Sequence, residues 1–172
     1  MEIRWKYQNR ERWIPWAAFP FFLKKGDLWL DIACNDGTLL SFVPNEINKL
    51  GIDPADDSYY NESSKIADDI VQDYFSYKTF QQSKFSNNQA KVITTIAMFY
   101  DLMDPHPFIN DVCKVLDDNG IWVLQLSYTP LMIKQLAFDN ICHEHLEYYS
   151  LHAMKHLLDM HDMEVVDRKS VV

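Results

Sequence analysis

The chain has 172 residues, 48% of them apolar and 24% charged, with a formal net charge of −9. That length suits one domain at about 150 residues per domain, and the apolar share is enough to offset backbone entropy, which argues against a disordered chain. Its 16 basic residues are scattered, so no phosphate-tracking or membrane-facing basic patch is expected, and the partner should be a small molecule.

Residues 1–24 are aromatic-rich, with Trp5, Tyr7, Trp13, Trp16, Phe19, Phe21 and Phe22, and read as a helical cap. The apolar stretch Trp13 to Leu23 is too short for a bilayer span of about 20 residues, and it lacks a signal-peptide cleavage site. Residues 25–172 read as the core. Asp27 to Ala33 forms a strand, Asn35-Asp36-Gly37 a turn, and Thr38 to Val43 a short helix ended by Pro44. A second strand runs from Ile47 to Asp53, followed by a polar loop at Ser58 to Ser64 and a brief strand at Asp69 to Val71. Tyr74 to Phe85 is partly helical, and Lys91 to Met98 is a β-branched strand. Pro105 to Leu116 is a helix, ended by Asp117-Asp-Asn-Gly120 with Gly120 in a left-handed cap. Ile121 to Leu126 is a buried strand, Pro130 to Phe138 and Ser150 to Asp162 are helices, and Met163 to Asp167 is the last strand. This alternation predicts an α/β fold with a mainly parallel sheet, whose ligands bind beyond the carboxyl ends of the strands. Cys34, Cys113 and Cys142 are far apart and form no CxxC pair. Reduced thiols and a cytoplasmic location are expected, with no disulfide framework.

Chemistry should therefore sit in the loops after the strands. The loop Asp31-Ile-Ala-Cys-Asn-Asp-Gly37 has Ala33, Asn35 and Thr38 where a dinucleotide fingerprint would have glycines. Asp36 would also repel a pyrophosphate. A cofactor with an ammonium group and no phosphate suits the loop better, and S-adenosylmethionine is the candidate. Asp53, in Gly51-Ile-Asp-Pro54, stands about 20 residues further on, where an acid can accept from both ribose hydroxyls. An ordinary strand–turn–helix with Asp36 as cap, and a turn Asp before Pro54, are the plainer readings of the same residues.

His143, Glu144, His145, Tyr148 and Tyr149 crowd into seven residues. The spacing is not HExxH, and two imidazoles with one carboxylate make a thin metal site, so no metal is expected. Nothing marks Cys142 as an activated thiol. His143 and His145 would share one face of an extended segment. An imidazole beside a carboxylate is suited to proton abstraction near neutral pH, and a structural hydrogen-bonding loop is the alternative. His152 and His156 lie off the apolar stripe of the next helix and read as solvated.

The stretches DIACNDGTLLSF, LGIDPAD, VQDYFS, LDDNGIWVLQLSY and FDNICHEHLEYYSLHAM resemble, in order, class I S-adenosylmethionine-dependent methyltransferases. Within that class the chain is similar to the sugar C-methyltransferases, which methylate carbon in nucleotide-linked keto-deoxysugars. The resemblance implies a Rossmann-like sheet. It implies that Asp31, Ala33, Cys34, Asn35 and Gly37 hold the methionine end, that Asp53 and Pro54 serve the ribose, that Asp73, Tyr74 and Phe75 flank the adenine, and that Ala97, Met98 and Phe99 line the cofactor. It further implies His145 as general base with Glu144 beside it, and Tyr128, His143 and Tyr149 toward the substrate.

From the sequence, the family's Cys-rich zinc module, seventh strand and C-terminal substrate domain are expected to be missing. A sheet lacking its last strand is expected, completed by a missing C-terminal domain or a partner chain. The leading function is methyl transfer from S-adenosylmethionine to a carbon next to a ketone in a sugar nucleotide. An O- or N-methyltransferase, a non-catalytic cofactor-binding module and a dinucleotide oxidoreductase are the alternatives.

Overall fold

The computed structural model describes residues 2–7 and 23–169. Seven strands form one sheet: β1 Glu2–Tyr7, β2 Leu28–Ile32, β3 Asn48–Ile52, β4 Asp69–Val71, β5 Ala90–Ile96, β6 Leu116–Gln125 and β7 Met163–Lys169, in the order β4-β3-β2-β5-β6-β1-β7. Strands β4, β3, β2, β5 and β6 are parallel to one another, and β1 runs antiparallel between β6 and β7. The expected α/β sheet, mainly parallel, is therefore what the chain forms.

The strand after β4 returns to the other side of β2, so the sheet order reverses between β2 and β5. Their carboxyl ends open the crevice where ligands bind in folds of this kind. Asp31 stands in register with Gly51 on β3 and with Thr94 on β5.

Among the described residues, six α-helices accompany the strands: α1 Thr38–Ser41, α2 Asp57–Ser63, α3 Tyr77–Phe80, α4 Pro105–Val115, α5 Thr129–Gln135 and α6 Leu151–Asp159. Apolar residues at i, i+3 and i+4 spacing face the sheet: Phe108, Ile109, Val112 and Val115 from α4, with Met154, Leu157 and Leu158 from α6. They meet Leu30, Ile32, Ile93 and Trp122 in the main core. Phe99 joins this core through edge-to-face contacts with Phe108 and Trp122, at centroid distances of 5.9 and 5.8 Å. On the opposite face, Leu40, Val43 and Ile47 gather around Cys34 and Trp29.

Three expectations are corrected. Residues 2–7 are a strand rather than part of a helical cap; the rest of the proposed cap, residues 8–22, lies outside the described residues. Glu2-Ile-Arg-Trp-Lys-Tyr7 alternates charged with apolar side chains, a period of two that suits a strand, and its aromatic content masked that period. This strand lies where a sheet edge lacking cover was expected, alongside β6. Of the stretch Ser58 to Ser64, read as loop, residues 58–63 belong to α2, because the Asp56 carboxylate accepts from Ser58 N at 2.9 Å and caps the first turn. Asp117 to Gly120, read as a helix-ending turn, is a bulge inside β6: Ala90 pairs with Leu116, and Val92 already pairs with Ile121. Gly120 does not take a positive φ. A Cβ there would come within 2.9 Å of the Ala90 and Asp117 carbonyl oxygens, so close approach explains the glycine.

Candidate active site

The loop after β2 shows why small or flexible residues alternate in it. Ala33, Asn35 and Gly37 have φ of 61°, 51° and 80°, all in the left-handed region. Asn and Gly tolerate this region, and Ala has the smallest possible Cβ penalty. At Gly37 a Cβ would also stand 3.0 Å from Ser63 Cα, so the loop presses its backbone against α2. Left-handed residues concentrated in one loop at the crevice mark a site where the fold holds strained backbone in place.

Asp53 ties this loop to the next strand. Its Oδ2 accepts from Asn35 N and its Oδ1 from Ala55 N, both at 2.7 Å. Each carboxylate oxygen keeps a lone pair for a further donor. Asp31, at the end of β2, is buried, and Thr94 Oγ1 donates to its Oδ1 at 2.5 Å. Trp29 Nε1 donates in turn to Thr94 Oγ1. Burial pushes the Asp31 carboxyl up to about 7; the Thr94 bond opposes the shift, and the Asp53 charge adds to it. Two carboxylates and an exposed Asp36 give the crevice a negative character that suits a cationic ligand. Cys34 is buried beneath the loop, its thiol pushed up to about 12 by burial and the neighbouring acids, which makes it packing rather than chemistry.

Around the rest of the crevice, Asp73 and Tyr74 are exposed beyond β4. Phe75 turns inward onto Phe108 at 5.2 Å. Ala97 follows β5 with φ 54°, and Met98 is half-buried. Phe99, expected to line the cofactor, is fully buried in the main core instead.

The second cluster lies at the segment carrying the two histidines. The Asn140 carbonyl accepts from His145 Nδ1 at 2.7 Å. A carbonyl can only accept, so Nδ1 carries the proton and Nε2 is the basic nitrogen. Tyr148 Oη donates to the same carbonyl at 3.3 Å, and Ser127 Oγ donates to Asn140 Oδ1 at 3.1 Å. The His145 ring lies against Tyr100 at a centroid distance of 4.3 Å. Glu147 N donates to Tyr100 O, which joins the segment to the loop after β5. Next to Tyr100, burial raises the Asp101 carboxyl, the charge of His145 lowers it, and Glu144 raises it again. Asp101 and His145 therefore share one field.

Residues 142–145 make a turn, closed by His145 N donating to Cys142 O, rather than the expected extended run. His143 and His145 consequently point different ways. His143 is almost fully exposed, and Glu144 lies 3.7 Å from its Nε2 rather than supporting His145. The expected His145–Glu144 pair is thus replaced by His145 with Asn140, Tyr100 and Asp101. Tyr149, expected toward substrate, is a core residue against Phe99, its hydroxyl pushed up to about 12 by burial. Tyr128 is half-buried and precedes α5. Thr94, Tyr100, Asp101 and Asn140 were not singled out from sequence. The first three lie in or just after β5, where the strand-end rule could have found them. The Asn140 carbonyl is main chain and leaves no sequence signal. No group of three His, Cys, Asp or Glu among the described residues is arranged to hold a metal, and no described helix is long and apolar enough to cross a membrane.

The reversal of sheet order between β2 and β5, the strained loop after β2 and an acid closing β3 define the domain class of S-adenosylmethionine-dependent class I methyltransferases. The chain belongs to the methyltransferase-domain family, whose profile matches residues 5–168. It is 26% identical over 150 residues to the C-methyltransferase NovU of Streptomyces niveus, covering 84% of this chain and 34% of that protein. Its fold is similar to that of the plantazolicin methyltransferase BpumL, solved with SAH and a desmethylPZN analog, at TM-score 0.62 and 16% identity over 82% of this chain and 57% of that one. It is also similar to the N-methyltransferase NodS of Bradyrhizobium japonicum, at TM-score 0.54 and 13% identity over 77% and 71%. The chain therefore spans about a third of NovU and just over half of BpumL.

Proposed function

We propose that this domain binds S-adenosylmethionine and transfers its methyl group to a carbon next to a ketone, in a nucleotide-linked keto-deoxysugar. The cofactor would supply an electrophilic methyl group. The positively charged ligand fits the chain's own donor set: Asp53 keeps acceptor capacity for the ribose hydroxyls, Asp31 and Asp36 favour an ammonium over a phosphate, and the left-handed loop allows close backbone approach.

The observation that carries the reading is the His145 tautomer. With Nδ1–H held by the Asn140 carbonyl, Nε2 accepts the proton from the acidic carbon. Tyr100 lies against the ring and fixes its plane. When bound, the cofactor would supply the methyl group to the carbon so deprotonated, its methyl–sulfur bond breaking as the carbon–methyl bond forms and S-adenosylhomocysteine leaving. Positioning of carbon and methyl should supply most of the acceleration. Similarity to NovU over the matched stretch supports carbon as the acceptor atom. The test is transfer of a ¹³C methyl from labelled cofactor to thymidine diphosphate 4-keto-6-deoxyglucose, read by NMR. A new carbon–methyl signal is expected. A methoxy or N-methyl signal, or cofactor binding without turnover, would replace this reading with one of the alternatives.

A further inference from the structure

The histidine segment is tied to the sheet at two ends that differ in kind. Main chain holds the far end. Glu147 N donates to Tyr100 O at 2.9 Å, and the Tyr149 carbonyl accepts from Thr129 N at 3.1 Å and from Thr129 Oγ1 at 2.9 Å. Tyr149 is also buried in the main core. The near end, at Asn140, has neither support. Asn140 closes a single turn of 3-10 helix, Phe138–Asn140. Its bonds, from Asn140 N to Ala137 O at 3.4 Å and from Ile141 N to Phe138 O at 3.0 Å, are local and attach nothing to the sheet. Packing does not hold the turn either, since Phe138 and Ile141 are 69% and 64% exposed.

A side-chain bond makes the attachment instead: Ser127 Oγ donates to Asn140 Oδ1 at 3.1 Å. Ser127 follows Leu126, which is buried in the main core at the exit from β6, so the hydroxyl is presented by well-packed backbone. The same asparagine carries the carbonyl that binds the imidazole. Two donors fill it, His145 Nδ1 at 2.7 Å and Tyr148 Oη at 3.3 Å, and they use both of its lone pairs. The His145 tautomer therefore depends on where the Asn140 carbonyl points, and Ser127 holds the side chain of that residue.

We propose that Ser127 is a positioning residue for the base: through the Asn140 side chain it aims the Asn140 carbonyl at His145 Nδ1 and so keeps Nε2 as the accepting nitrogen. The role in catalysis rests on His145 acting as general base; the tautomer itself is read without turnover. With Ser127 Oγ removed, the turn at 138–140 is released, and the imidazole is free to carry its proton on Nε2. In that form Nε2 donates rather than accepts, and that fraction of the protein cannot take up a substrate proton. Loss of one neutral hydrogen bond should change the ratio of the two tautomers by about 2- to 10-fold.

The test is long-range ¹H–¹⁵N NMR of the full chain labelled with ¹⁵N-histidine, at pH 8, above the ordinary imidazole pKa of about 6.5. His145→Gln identifies the His145 signals among the six histidines. The unmodified chain should show His145 protonated on Nδ1. Ser127→Ala should raise the ratio of Nε2–H to Nδ1–H by about 2- to 10-fold, and Ser127→Thr, which keeps the hydroxyl, should restore it. Asn140→Ala should shift the ratio as Ser127→Ala does, and the double variant no further, because both remove the same bond. Nε2–H as the main form in the unmodified chain, an unchanged ratio in Ser127→Ala, or a shift that Ser127→Thr leaves unrepaired would each overturn the proposal. The base reading fails separately: if the ratio moves as expected but His145→Ala retains full methyl transfer, Ser127 still sets the tautomer and His145 is not the base.

Discussion

Replacing Asp53 with alanine removes one carboxylate that has two duties. In the protein as it stands, Oδ2 holds Asn35 N and Oδ1 holds Ala55 N, both at 2.7 Å. Asp53 is half-buried, so these charge-assisted bonds belong at the low end of their range, and losing them should cost about 1–2 kcal/mol of stability. The freed amides can bond water, which limits the loss. The ribose hydroxyls would lose a charged acceptor as well, about 1.5–3 kcal/mol of affinity, or about 10- to 150-fold in Kd. Release of Asn35, whose φ of 51° is held in place by this bond, moves the effect toward the larger figure. Asp53→Asn keeps one carbonyl oxygen and should lie between the two. Calorimetric titration with S-adenosylhomocysteine gives the Kd, and urea denaturation gives the stability. An Asp53→Ala variant that is destabilised as expected but binds S-adenosylhomocysteine within twofold of the unmodified chain would leave Asp53 a purely structural residue and refute the ribose assignment.

Gly51→Ala should be strongly destabilising, because the new Cβ would stand 2.5 Å from both Cys34 Sγ and Ile70 Cδ1; a loss of about 1–3 kcal/mol in urea, with an unchanged m-value, is expected for such overpacking. Asp31 predicts a pH dependence of binding: its carboxyl, raised to about 7, must be ionised to attract an ammonium, so S-adenosylhomocysteine affinity should rise from pH 6 to pH 8 and flatten in Asp31→Asn. The same raised value works against folding, since the stability that protonated Asp31 contributes is complete below its unfolded value and is lost as pH rises toward 7. His106 Nδ1 and His161 Nε2 lie 2.8 Å apart, and His161 Nδ1 donates to Asn110 Oδ1 at 3.0 Å. Burial and the His106 charge lower the His161 pKa, so this contact stabilises above the unfolded value near 6.5 and is lost as pH falls; Tm should drop below pH 6.5, and less so in His106→Gln.

The strands at the centre of the sheet were legible because each is a short apolar run bounded by a turn signal, as at Leu28–Ile32 and Ala90–Ile96. The backbone of the loop after β2 was legible for a related reason: a left-handed conformation at residues 33, 35 and 37 favours small or amide side chains, so the geometry wrote itself into residue choice. The strand at Glu2–Tyr7 was missed because composition was weighed above period. Helix α2 was missed because its stability comes from the Asp56 cap rather than from an apolar stripe. At the histidine segment, residue types were informative and directions were not. A turn at 142–145 decides that His145 faces Asn140 while His143 faces water, and nothing in Cys-His-Glu-His announces that turn. The partner that sets the His145 tautomer is a backbone carbonyl, which every residue possesses.

His145 Nε2 is proposed to remove a carbon-bound proton. Deuterium exchange tests it without requiring methyl transfer. Thymidine diphosphate 4-keto-6-deoxyglucose is incubated in D₂O with the chain and S-adenosylhomocysteine, and loss of the proton next to the ketone is followed by NMR. The unmodified chain should exchange that proton about 10²- to 10⁴-fold faster than His145→Ala, the span expected for one positioned general base. Equal exchange rates in the two proteins would contradict the claim and remove His145 from the chemistry.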